Sequence, residues 1–331
     1  MKPSTISNTV KTNLFIIGGA TILVALFFVS LYVGKFPLSF REIIAGNQLH
    51  IKVFLTLRLS RAFVGVLGGF ALGVAGFVYQ TIFRNPLASP DIIGVASGAS
   101  AGAAMGILLL SGTFVVTACA FGGAVIAVLL ALVLAAIDRT GKKSTVVLAG
   151  IAVHSIMQTI LMFLKLSADP ERQLASIEYW IMGSLNGVNS HIIGPNSIIC
   201  IVCLIALVLL HRQTILLSAD EGEARMLGVN VSVWRLVLLL IATVSVACIV
   251  SMTGLISFVG LLAPHCARKL TGNNGIKTML IGGIIGGCLL CGADILARSV
   301  AATELPVSIF TSLIGAPFLV FLLVIRKDAE V

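Results

Sequence analysis

Apolar residues fall into long, nearly unbroken runs separated by short polar breaks, at roughly 14–33, 62–79, 92–110, 113–137, 146–166, 192–210, 233–250, 255–267, 276–296 and 306–325. About 20 residues of helix rise ~30 Å, the thickness of a bilayer's hydrocarbon core. The pattern predicts an all-α polytopic membrane protein of about ten transmembrane helices in a single domain spanning residues 1–331. The eighth run is short and carries Pro264, so a half-helix or a broken one is expected there. The first run is too long for a signal-peptide core and reads as a retained helix.

Composition agrees. With 58% hydrophobic and 11% charged residues, a soluble fold would have too little polar surface to cover itself. The net charge of +9 therefore bears on membrane topology, not nucleic acid. With both termini placed in the cytoplasm, fourteen Lys and Arg lie inside and eight outside, an excess that favours this orientation. Five of the eight exceptions, Lys35, Arg41, Lys52, Arg58 and Arg61, lie in or just after the first outer loop. Charge placed there against the insertion rule points to another task. Glycine pairs at helical spacing, such as Gly65/Gly69, Gly98/Gly102 and Gly282/Gly286, predict close helix crossings.

Four polar segments interrupt the runs. Arg58 and Arg61, three residues apart at a helix entrance, suit either carboxylates of a docking partner or lipid headgroups. Arg84-Asn85-Pro86-Leu87-Ala88-Ser89-Pro90 carries two helix-breaking prolines and predicts a re-entrant turn at the inner face, with Gln80 and Asn85 placed to satisfy freed backbone groups. Residues 218–229 form an acidic loop with a short amphipathic helix, ended by Gly228; it suits a groove on a soluble partner or the headgroup layer. At the last outer loop Asp294 and Arg298 are spaced to pair, and Asp294 in an apolar stretch is itself a site candidate.

Chemical signatures are sparse. Cys200-x2-Cys203 and Cys288-x2-Cys291 have metal-like spacing but lie inside apolar runs, where desolvation disfavours a thiolate; they read as small helix residues, and no metal or cofactor is expected. No phosphate loop or HExxH occurs, and no enzymatic activity is expected. His154 and His265 are candidates for a pathway or proton relay, but each reads better as a packed, hydrogen-bonded side chain.

In order along the chain, several pieces resemble the permeases of binding-protein-dependent ABC importers for iron–siderophores, haem and vitamin B12: Arg84-Asn85-Pro86-Leu87-Ala88-x-Pro90, Leu148-Ala149-Gly150, Trp180-Ile181-Met182-Gly183-Ser184-Leu185, Phe258-x-Gly260-Leu261-x-x-Pro264-His265-x-x-Arg268, Ala293-Asp294-x-x-Ala297-Arg298, and Glu304-Leu305-Pro306 with Gly315-Ala316-Pro317. The resemblance implies the type II importer fold, a dimer of permease subunits (two copies or two related chains), two cytoplasmic ATPases, and a periplasmic or lipid-anchored binding protein. It implies that Arg58, Arg61 and Arg298 dock that binding protein. It places an ATPase coupling loop at Asp220, Glu221, Ala224, Arg225, Leu227 and Gly228, and an inner gate at Ser144 and Thr145. Ser60, Asp220 and Ser308 depart from the family's usual Pro, Gly and Gly. A ferric siderophore is the expected cargo, haem or cobalamin the alternative. A stand-alone secondary transporter is the competing class; it would need buried ionisable residues, for which only His154 and Asp294 offer themselves.

Overall fold

The structure, a computed structural model, describes residues 5–109, 112–137, 143–188, 190–219, 221–226, 228, 230–301 and 303–328. Among these no strand occurs. The helices are α1 (Thr5–Tyr32), α2 (Phe40–Ile44), α3 (Gln48–Lys52), a π-helical turn at Val53–Leu59 that runs into α4 (Ser60–Phe83), α5 (Val95–Leu109), α6 (Thr113–Ile137), α7 (Lys143–Ser167), α8 (Gln173–Ile181), α9 (Ser190–Leu209), α10 (His211–Leu216), α11 (Glu221–Met226), α12 (Val231–Thr253), α13 (Val259–Thr271), α14 (Ile276–Ser299) and α15 (Val307–Asp328).

Six stretches are long and apolar enough to cross a bilayer: Val10–Tyr32, Gln48–Phe83, Thr113–Ile137, Thr145–Ser167, Val231–Thr253 and Ile276–Ser299. The other four apolar runs fall on shorter stretches, Val95–Leu109, Ile193–Leu209, Val307–Val320 and the thirteen-residue α13. Mean hydropathy alone does not separate long spans from short ones, because a helix sheltered by neighbours need not cover the whole hydrocarbon depth.

The core is α4, and glycine is why. A Cβ on Gly69 would overlap the carbonyl of Gly286, one on Gly73 the carbonyl of Gly282, and one on Gly76 the carbonyl of Gly260. α4 thus crosses α14 and α13 at backbone contact, which gives dispersion and weak Cα–H···O contacts where lipid provides no hydrophobic drive. Gly98 and Gly102 of α5 meet Gly123 and Cys119 of α6 in the same way. The glycine spacing read from the sequence therefore marks real crossings. Gly69→Val should lower the melting temperature of the detergent-purified protein, with the overpacking cost of about 1–3 kcal/mol. The same change at Gly18, whose Cβ would meet nothing, should be silent in that assay.

α13 starts later than its apolar run. Gly254 has φ +70° and Phe258 has φ +66°, so the chain is non-helical from Gly254 to Phe258 before the half-helix begins. Leu255 is held there from outside the segment, its carbonyl accepting from Ser308 Oγ at 2.5 Å. Ser308, a departure from the family's glycine, thus contributes a hydrogen bond to unwound backbone. α12 runs antiparallel to α4, with Ile249 against Gly68 and Thr243 Oγ1 2.5 Å from Tyr79 Oη. The 218–228 segment before α12 therefore lies at the end of the bundle where α4 finishes, remote from Arg58 and Arg61 at its start.

Candidate functional site: two opposite ends of the bundle

At the end where α4 begins, the three arginines converge. The Nε of Arg61 donates to Asp294 Oδ1 and its Nη1 to Glu304 Oε2, both at 2.8 Å. The Nη2 of Arg298 pairs with Asp294 Oδ2 at 2.8 Å, and its guanidinium also donates to Ser30 Oγ at 2.7 Å and to the Val33 carbonyl at 2.8 Å. Arg58 donates to the carbonyls of Val33 and Phe36, the latter at 2.9 Å. These carbonyls belong to the chain leaving α1, whose last turn would otherwise carry unpaired acceptors. The wide π turn brings Arg58 beside Arg61.

This corrects the expectation of arginines at a water-exposed entrance. Arg58, Arg61 and Arg298 are only 5%, 6% and 4% exposed. Pairing of Asp294 with Arg298 was readable from their spacing; its second partner, Arg61, lies 233 residues away in sequence. The cluster still has an unfilled valence. Among the described residues Nη2 of Arg61 is buried without a hydrogen-bond partner, and Arg58, Arg61, Arg298, Lys35, Asn186 and Glu304 share the wall of a cavity of about 230 Å³. Three guanidiniums against two carboxylates leave it cationic.

At the opposite end, Arg84 sits in the left-handed region (φ +48°) and closes α4; Asn85 Oδ1 accepts from the Leu87 N–H at 2.9 Å. Pro86 follows, and Pro90, where the chain has turned back into the bundle beside Gly260, opens a 3-10 turn over Pro90–Ile93. Gln80 has a task beyond its own helix end: its Nε2 donates to the Leu261 carbonyl at 2.9 Å, while Arg268 donates to its Oε1 and, at 2.8 Å, to Thr81 Oγ1. Arg268 also lies over the Phe77 ring, 4.8 Å from its centroid. These contacts tie α13 to α4.

α11 ends at Met226 and Gly228 follows with φ +77°, the left-handed stop expected of it. Glu221, Ala224 and Arg225 lie on α11, whereas Asp220 and Leu227 lie outside the described residues. Sequence reasoning passed over Met226, which is 83% exposed. Its signal was a large apolar side chain within an acidic loop. Ser144 and Thr145 occupy the first turn of α7.

The two histidines differ from expectation. His154 is exposed on α7, and His265 is half-buried with its ring 6.0 Å from that of Phe318. Among the described residues neither side chain is hydrogen-bonded. Cys200 and Cys291 are buried helix residues, Cys291 Sγ lying against Gly65.

Comparison with known proteins agrees with this architecture. Residues 22–325 match the FecCD transport family. The cobalamin import system permease protein BtuC of Halobacterium salinarum is 37% identical over 277 residues, covering 83% of this chain and 73% of that protein. The hemin transport system permease protein HmuU of Yersinia pestis is 33% identical over 317 residues, covering 93% and 94%. A solved chain, from an ABC transporter described as of metal-chelate type in an inward-facing conformation, superposes with a TM-score of 0.84 at 30% identity, covering 94% of this chain and 98% of that one. The chain belongs to the FecCD transport family and is a membrane permease component of an ABC importer, not an enzyme.

Proposed function

We propose that this permease carries a ferric siderophore across the bacterial cytoplasmic membrane as a homodimer, with both termini inside. Two ATPases act on the 218–228 loop, and a ligand-loaded binding protein docks at the arginine end. ATP-driven closure of the ATPases pushes the loop, and the path alternates between outward and inward access, with Ser144 and Thr145 as its inner gate.

The observation that carries the docking reading is the unfilled arginine cavity. A carboxylate delivered into it from outside would complete the valence of Arg61 Nη2 and offset the excess positive charge. Burial makes the cluster pre-organised, so docking would cost little side-chain entropy. The iron-chelate reading is supported by the solved metal-chelate-type relative. Cobalamin or haem is the second reading, favoured by the relatives at 37% and 33% identity. The stand-alone transporter reading falls with membership of an ABC importer family.

The test is ATPase activity in proteoliposomes holding permease and ATPases, with candidate binding proteins added in ligand-loaded form. The protein that stimulates identifies the cargo. Arg58→Glu should cut that stimulation about fivefold through slower association. Arg58 is the variant of choice because its bonds go to backbone carbonyls, so Asp294 keeps both its arginine partners. Unchanged stimulation by a protein that stimulates the parent would remove docking from this cluster.

A further inference from the structure

Halfway through the bundle lies a carboxylate that no structural role accounts for. Asp91 follows Pro90 in the re-entrant turn and lines a cavity of about 350 Å³ with Leu72, Ser89, Val250, Ser257 and Gly260. Leu72 is at the midpoint of α4 (Ser60–Phe83), so the cavity is at mid-membrane depth. Among the described residues Asp91 is its single charged lining residue. The side chain is exposed, and among the described residues nothing hydrogen-bonds to it.

The neighbouring helix shows why this place stays wet. α7 packs on the turn through Gly150, whose Cβ would overlap the Ile92 carbonyl, and through Val153. The backbone of His154 lies against Gly94, three residues beyond Asp91, and the two side chains interact electrostatically. Outward from that contact α7 presents His154, Ser155 and Thr159, all exposed, with Gln158 beside them half-buried. Ser155 and Thr159 satisfy themselves on the preceding turn, at 3.0 and 2.9 Å, but the side chains of His154 and Gln158 have no hydrogen-bond partner among the described residues. Unpaired imidazole, amide and carboxylate groups facing hydrocarbon at mid-depth would be costly, so lipid does not cover this face.

Resting on the transport reading above, we propose that Asp91 is a charge filter on the translocation path, beside the His154 imidazole. A lone carboxylate on a narrow aqueous step enriches cations and repels anions, as acidic rings do in cation-selective pores. The cargo class that follows is a chelate whose outer surface is neutral or cationic. Complexes with exposed carboxylates or catecholates would pass slowly.

The experiment needs neither cargo nor partner. Ser257, a hydroxyl on the wall of the same cavity, is replaced by cysteine in the full chain, with the seven native cysteines replaced, and reconstituted in liposomes. It is then modified by methanethiosulfonates of similar size, one a quaternary ammonium and one a sulfonate. The expected result is a rate ratio favouring the cationic reagent by about tenfold over the ratio for a free thiol. That preference should vanish in Asp91→Asn and return in Asp91→Glu. A preference unchanged by Asp91→Asn, no preference at all, or a thiol sealed from both reagents would overturn the filter. None of these outcomes bears on stimulation by a binding protein, so the two readings fail separately.

Discussion

Asp294→Asn should be the most damaging single substitution in the chain. The side chain keeps its size but loses the charge that holds Arg61 and Arg298, each within 2.8 Å and each almost fully buried. Removing one partner of a buried ion pair leaves uncompensated charge and costs about 3–5 kcal/mol. Here Arg298 loses its carboxylate partner, and Arg61 is left with Glu304 alone. The detergent-purified variant should melt about 10 °C below the parent, taking a few degrees per kcal/mol. A double-mutant cycle gives the sharper reading. Arg298→Gln on top of Asp294→Asn should cost much less than the sum of the two single changes, because each removes the other's stranded partner. Strict additivity would mean that the two side chains are not energetically coupled.

The second large effect is expected at the opposite end. Met226→Asp adds a carboxylate to a side chain already 83% exposed, so stability should hardly move. If α11 docks in a groove on the ATPase, an apolar anchor at its last residue is what such a short helix offers, and charging an anchor costs 2 kcal/mol or more, about thirtyfold in affinity. Binding-protein-stimulated ATPase activity and uptake should fall by at least about tenfold, with an unchanged melting temperature. Met226→Leu should retain most of both. Full activity in the aspartate variant would place the ATPase contact elsewhere on the loop.

What was legible in the sequence was what depends on near neighbours. Runs of apolar residues became helices. Gly69 and Gly286 marked a crossing, Gly228 a helix stop, and Asp294 with Arg298 a pair, because each signal lies within one or two turns of helix. Long-range partners were not legible. Nothing near Arg61 announces Asp294 or Glu304, so its charge looked exposed when it is spoken for. His154 was misread for a related reason: its surroundings are decided by which face of α7 meets the Pro90–Ile93 turn, and an apolar run does not encode that. The late start of α13 turns on the positive φ of Phe258, a conformation that no local pattern predicts for an aromatic residue.

The arginine knot also carries a consequence for synthesis. Helix α1 is made first, yet little of it is buried, 11% of its most apolar window. Besides the bonds of Arg58 to Val33 and Phe36, its polar fastenings include two from α14: Arg298 on Ser30 and Val33 at one end, and Lys277 Nζ on Asn13 Oδ1 at 2.7 Å at the other. Arg58 and Arg61 likewise leave the ribosome more than two hundred residues before Asp294. A nascent chain must therefore hold cationic helix ends at the membrane surface until α14 arrives. Chains truncated before it would lack Asp294 and Glu304 and would carry Arg58 and Arg61 with their charge unmatched.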